Sequence, residues 1–209
     1  MTLETLLIIG GGLIGSSIAR AAKTYGQAET VYVSDKSASV CEAIERLGFA
    51  DGVAENAPEL YASKADLIIL CVPPGRIGAV AGSIIPVMKA GAILSDVGSI
   101  KGNVIKQVTP HMKDDIHFVP GHPIAGTEYS GPEAGFAEMF QDRWCVLTPD
   151  GADEKATASV NKFWQGIGSQ VAIMESKRHD PVLETTSHLT QRIAATVVAR
   201  ASALCNVTE

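Results

Sequence analysis

The sequence has no C-x-x-C pair: Cys41, Cys71, Cys145 and Cys205 stand far apart along the chain. That scatter argues against a zinc ribbon and makes reduced thiols the default, so no metal site is expected. No apolar run approaches the roughly eighteen residues of a membrane-spanning helix. Excess positive charge is also missing, with 17 Lys and Arg against 23 Asp and Glu and a net charge of −6. Neither nucleic acid nor an anionic membrane surface is therefore an expected partner. The N terminus, MTLETLLIIGGG, carries Glu4 where a secretory leader has basic residues, and it shows no cleavage pattern. The expectation is a cytoplasmic protein. Internal repeats and low-complexity linkers are absent as well. What is present is an ordinary globular composition over 209 residues, 46% hydrophobic with 20 glycines. That length suits one large domain, or one domain and part of a second.

The first motif stands at the start of the chain. Leu6 to Ile9 form a short apolar run suited to a buried parallel strand, and helical periodicity follows through Ile14, Ile18, Ala19 and Ala22. Between them lie Gly10, Gly12 and Gly15, spaced G-x-G-x-x-G. The first glycine makes a tight turn, the second lets the backbone approach a pyrophosphate, and the third lets helix and strand pack closely. The helix N terminus adds free N–H groups and a positive dipole end. A glycine-rich turn alone is weak evidence. Here a second strand, TVYVSD, ends at Asp35, where a carboxylate can accept hydrogen bonds from both ribose hydroxyls of an adenosine. That favours NAD; Lys36 follows directly and can accommodate a 2′-phosphate, which leaves NADP open. The expected cofactor-binding set is Gly10, Gly12, Leu13, Ile14, Gly15, Asp35, Lys36, Val72 and Pro73.

The α/β alternation continues. SASVCEAIERLG reads as a helix closed by Gly48, ADLIILCVPP as a buried strand stopped by two prolines, IGAVAGSIIPVMKAG as a helix and AILSDVGS as a strand. Ser99 stands where the helix IKGNVIKQV should begin, as its N-cap and also facing the cleft. The next strand, DIHFVPGHP, ends at His122. A lone histidine is usually a surface or satisfied core residue. This one shares the carboxyl edge of the expected sheet with Gly12, Pro73 and Ser99, and that convergence favours a functional role. RWCVLTPDG and GSQVAIMES read as two further strands around the helix DEKATASVNKFWQGIG, placed to extend the sheet. From Asp180 onward, apolar residues at Val182, Leu183, Leu189, Ile193, Val197 and Leu204 keep three-to-four spacing, the mark of one long amphipathic helix in need of a partner.

Taken in order, IIGGGLIGSSIARA, DVGSIK, GHPIAGTEYSGPEAGFAEMF, VLTP and HDPVLETTSHL make this chain resemble the prephenate/arogenate (cyclohexadienyl) dehydrogenase family of tyrosine biosynthesis. The likeness runs over nearly the whole chain, and GHPIAGTEYSG is its most specific block. The resemblance implies a Rossmann-type dinucleotide-binding domain over 1–176, followed over 177–209 by the first helix of an incomplete all-helical dimerisation and substrate domain. It implies NAD-dependent oxidative decarboxylation of prephenate or arogenate, and a homodimer formed through the C-terminal helices. Catalytic roles are implied for His122, which takes the ring hydroxyl's proton, and for Ser99, which orients that hydroxyl. A neutral imidazole with an ordinary pKa near 6.5 suits such a base. Substrate-facing roles are implied for Thr127, Glu128, His188 and Gln191.

The chain departs from the family pattern in two places. The family commonly has S-H-L-P-H where this chain reads SHLTQ, so Gln191 replaces a second histidine and can donate a hydrogen bond but carry no charge. The family also continues through further helices that supply an arginine for the substrate carboxylates, a residue hard to replace. Arg192 and Arg200 match no motif that assigns them this task. Two other readings remain: a catalytically silent or truncated NAD-binding protein, and a related β-hydroxy-acid dehydrogenase. The latter would use a lysine of the helical domain that has no counterpart motif here.

Overall fold

The computed structural model describes residues 3–183. The expected helix beyond Leu183, with His188 and Gln191, lies outside the described residues.

Six parallel strands form the central sheet: β1 (Leu3–Ile9), β2 (Ala28–Asp35), β3 (Gly52–Glu55), β4 (Leu67–Leu70), β5 (Ile93–Asp96) and β6 (His117–Phe118). Their spatial order is β3-β2-β1-β4-β5-β6, the arrangement of a doubly wound dinucleotide-binding fold, with its switch point beside β1. Continuous apolar strands are what a sheet covered on both faces requires. Along β1 the side chains alternate: Leu6 and Ile8 enter the core on one face, Leu7 and Ile9 the core on the other. Each such fully buried side chain contributes about 1.5–3 kcal/mol. One layer carries α1 (Leu13–Thr24), α2 (Ala38–Leu47) and α6 (Glu154–Gly166); α4 (Ile77–Ile84) and α5 (Lys101–Val108) lie on the opposite face. As expected, α2 ends at Gly48 in the left-handed conformation, φ 68°. A short helix, α3 (Glu59–Ala62), bridges β3 and β4.

The structure corrects the expected course of the chain near the opening histidine. The segment expected as one strand is split: β6 stops at Phe118, and β7 (Gly121–Pro123) begins a second sheet. Pro120, with no N–H, sits in the break. The strands expected to extend the main sheet, β8 (Trp144–Leu147) and β9 (Gln170–Ile173), instead complete this separate three-stranded sheet in the order β7-β8-β9. The β7–β8 pair is antiparallel, with His122 opposite Val146. Between β7 and β8 the chain runs back across α1 and α2. The Phe136 amide donates to Ser17 Oγ, and Arg46 pairs with Glu133 at 2.9 Å. Phe140 then meets Trp164 edge-on at 5.4 Å, fastening the loop to α6.

The last described helix, α7 (Ser176–Leu183), starts before the expected Asp180 and packs on α5.

Candidate active site

A cleft of about 820 Å³ opens along the carboxyl ends of the parallel strands. Its wall contains Gly10, Gly12, Leu13, Ile14, Asp35, Lys36, Val72, Pro73, Ser99 and His122, residues gathered from five separate stretches of sequence. Of the expected cofactor set, only Gly15 is off the wall. It is buried behind the turn, where an added Cβ would overlap the Gly10 carbonyl oxygen. Gly10 has φ 104°, and a side chain there would collide with the Cys71 carbonyl. Nothing lies within 4 Å of a Cβ placed on Gly12, so the backbone there borders open space. This is a cradle in which a side chain would take the room of a ligand, at the N terminus of a helix.

Asp35 is held in place by backbone. Its Oδ2 accepts from the Gly11 amide at 2.8 Å and its Oδ1 from the Ser37 amide at 2.9 Å. Each oxygen keeps a lone pair for a ribose hydroxyl. The cleft floor around Ile9, Val72 and Val97 is apolar. Glycine cradle, helix N terminus and fixed carboxylate together match a dinucleotide.

At the other end of the cleft, β7 places His122, only 9% exposed. Two buried groups fix its backbone. Lys101 Nζ donates to Asp96 Oδ2 and to the Gly121 carbonyl, and both charged side chains are fully buried. Burial pushes the Lys101 ammonium below the ordinary lysine value, and the Asp96 carboxylate opposes that shift. The His122 ring continues into a chain of groups: Nδ1 lies 3.0 Å from His179 Nε2, and His179 Nδ1 lies 2.7 Å from Asp180 Oδ1. Burial lowers the pKa of His179, with Asp180 resisting. For Asp180, burial acts upward but is outweighed by the His179 bond and by the amides of Gly102 and Lys101, leaving its pKa lowered.

Those two amides correct the expected cap of α5. Ser99 is not the N-cap: that position is Ile100, with no side-chain capping bond. The Asp180 carboxylate, arriving from α7, accepts from the Lys101 amide at 2.8 Å and the Gly102 amide at 3.0 Å. Ser99 is thereby left half-buried on the cleft wall. Thr127 and Glu128 sit on the exposed loop after β7 and do not line the cleft. Sequence reasoning missed Asp96, Lys101, His179 and Asp180 as a supporting group. The signal was there in part, since DVGSIK and HDPVLETTSHL contain all four.

Residues 18–173 match the family model described as prephenate dehydrogenase, nucleotide-binding domain. The chain belongs to the prephenate dehydrogenase family. The chain is 42% identical to a cyclohexadienyl dehydrogenase of Zymomonas mobilis over 198 residues, covering 94% of this chain and 67% of that protein. It is 30% identical to a prephenate dehydrogenase of Lactococcus lactis, covering 94% of this chain but only 53% of that one. Among solved structures, prephenate dehydrogenase from Aquifex aeolicus in complex with hydroxyphenyl propionate and NAD+ superposes with a TM-score of 0.87 at 27% identity. That match covers 96% of this chain and 70% of the other.

Proposed function

We propose that this prephenate dehydrogenase family member oxidatively decarboxylates prephenate or arogenate with NAD, giving 4-hydroxyphenylpyruvate or tyrosine. The observation that carries the reading is the placement of His122 and Ser99 on the same cleft wall as the glycine cradle and Asp35. Bound NAD supplies the hydride acceptor. The chain's own residues do the rest. Gly12 and the first amides of α1 receive the pyrophosphate, and Asp35 receives the adenosine ribose. Ser99 orients the ring hydroxyl, and His122 accepts its proton as the C–H electron pair leaves as hydride. The bond to the ring carboxylate then breaks, its electrons complete the aromatic ring, CO2 departs, and the ring oxygen takes back a proton from His122 to become the phenol. The apolar floor of Ile9, Val72 and Val97 keeps water from the transferring hydride.

Substrate contacts are assigned to Thr127 and Glu128, on the exposed loop that follows His122, and to His188 and Gln191, which lie outside the described residues. Residues 1–176 form the cofactor domain, and two copies pair in the cytoplasm through the region that begins at residue 177. Asp35 favours NAD, and Lys36 beside it allows some use of NADP. Purified protein supplied with NAD and either substrate should raise absorbance at 340 nm. Intact NAD binding with no turnover of either substrate would overturn the proposal in favour of a silent NAD-binding protein.

A further inference from the structure

Oxidation of the ring hydroxyl frees its proton before decarboxylation makes the phenol that takes one back, and His122 is buried, so the proton needs a place to wait. The row His122 Nδ1, His179 Nε2, His179 Nδ1 and Asp180 Oδ1 is continuous at 3.0 and 2.7 Å. His179 is fully buried, whereas the Asp180 side chain is 32% exposed. Hydrogen-bond chemistry fixes the protons along this row. A carboxylate only accepts, so His179 carries its proton on Nδ1. Its Nε2 is then an acceptor, which requires His122 to carry its proton on Nδ1 and leaves Nε2 of His122 with a lone pair.

We infer that His179 and Asp180 are positioning residues that hold His122 in the base-competent tautomer and share the substrate proton with it until the product's phenol oxygen takes a proton back. The inference rests on the function proposed above. As the substrate O–H bond breaks, an N–H bond forms at His122 Nε2. The Nδ1–H of His122 passes to His179 Nε2, and the resulting imidazolium is stabilised by Asp180. The C–H electron pair leaves as hydride, and once CO2 has gone the phenol oxygen takes the proton back along the same row, so no proton is gained or lost overall. Asp180 is itself fixed by the Lys101 and Gly102 amides, so its carboxylate cannot swing away from His179 without uncapping α5. Among the described residues, the other charged groups facing the row are Lys101 on α5 and Asp96 on β5, which neutralise one another; Cys145 on β8 stays a thiol because burial raises its pKa.

Nitrogen-15 NMR of the imidazoles in the full chain tests the ground state without turnover. The wild type should show His122 and His179 protonated at Nδ1, and Asp180→Asn should shift His122 toward a mixture of tautomers. An Nε2–H tautomer of His122 in the wild type would overturn the inference. In turnover, His179→Gln and Asp180→Asn should each lower kcat about tenfold or more, with KM changed far less. Asp180→Asn should also move the acid limb of the pH profile to lower pH, because it removes the charge that stabilises the protonated pair. Should both variants keep wild-type kcat and acid limb while His122→Asn is inactive, the inference is wrong and the proposed function stands. If the wild type turns over neither substrate, the function fails and the NMR result still decides the tautomer. Should His179→Gln not fold, Asp180→Asn alone carries the test.

Discussion

Gly12 and Gly15 share one motif and do opposite physical work. A methyl group on Gly12 meets nothing within 4 Å, while one on Gly15 strikes the Gly10 carbonyl oxygen. Gly15→Ala should therefore cost stability, about 1–3 kcal/mol as overpacking usually does, read as a lowered urea midpoint. Gly12→Ala should leave that midpoint within about 0.5 kcal/mol of wild type and instead weaken NAD binding in a titration. Equal effects of the two substitutions on both readouts would contradict this division. Lys101 makes a third case. It is fully buried against Asp96, so Lys101→Met strands a buried carboxylate. The expected loss is about 3–5 kcal/mol by chemical denaturation. A loss below about 1 kcal/mol would mean that water reaches Asp96 in the variant. Asp35→Ser should lower the preference for NAD over NADP in paired binding titrations, because it removes the acceptor held by Gly11 and Ser37.

Between elements, the contact that matters is the clasp of α7 on α5 through Asp180. Both titrating members of the clasp have folded pKa values below their ordinary ones. For His179 the fold prefers the neutral ring, so stability is present above about pH 6.5 and is lost as pH falls toward the lowered folded value. For Asp180, stability is present above about pH 3.9 and is lost as pH falls through its lowered value. Urea midpoints should therefore fall on acidification from pH 7 to 5, and His179→Gln should flatten that slope. An unchanged slope would remove His179 from the account. This clasp was not legible in the sequence, because Lys101 and Asp180 are 79 residues apart and nothing in local periodicity pairs them. The second sheet was hidden for a related reason: apolar runs mark β8 and β9 as strands but do not say which strand each will pair with. The parallel strands β1, β2, β4 and β5 were legible, since continuous apolar runs between glycine and proline breaks admit few other readings.

Over the whole molecule, the doubly wound sheet places its carboxyl edge along one cleft, and the second sheet swings a histidine into that cleft from the side. The glycine cradle and Asp35 could be read from spacing because each acts through local backbone geometry. Ser99 and His122 could be read as convergent only once strand ends were assumed to share an edge. Their chemical roles came from resemblance to the family whose nucleotide-binding model matches residues 18–173. The central claim is that His122 accepts the proton as hydride leaves for NAD in this cleft. It is tested most directly by comparing wild type and His122→Asn at saturating NAD, following the prephenate- or arogenate-dependent rise at 340 nm. The account predicts a loss of kcat of about a hundredfold or more in the variant, with NAD affinity unchanged. Turnover of the variant at the wild-type rate would contradict it.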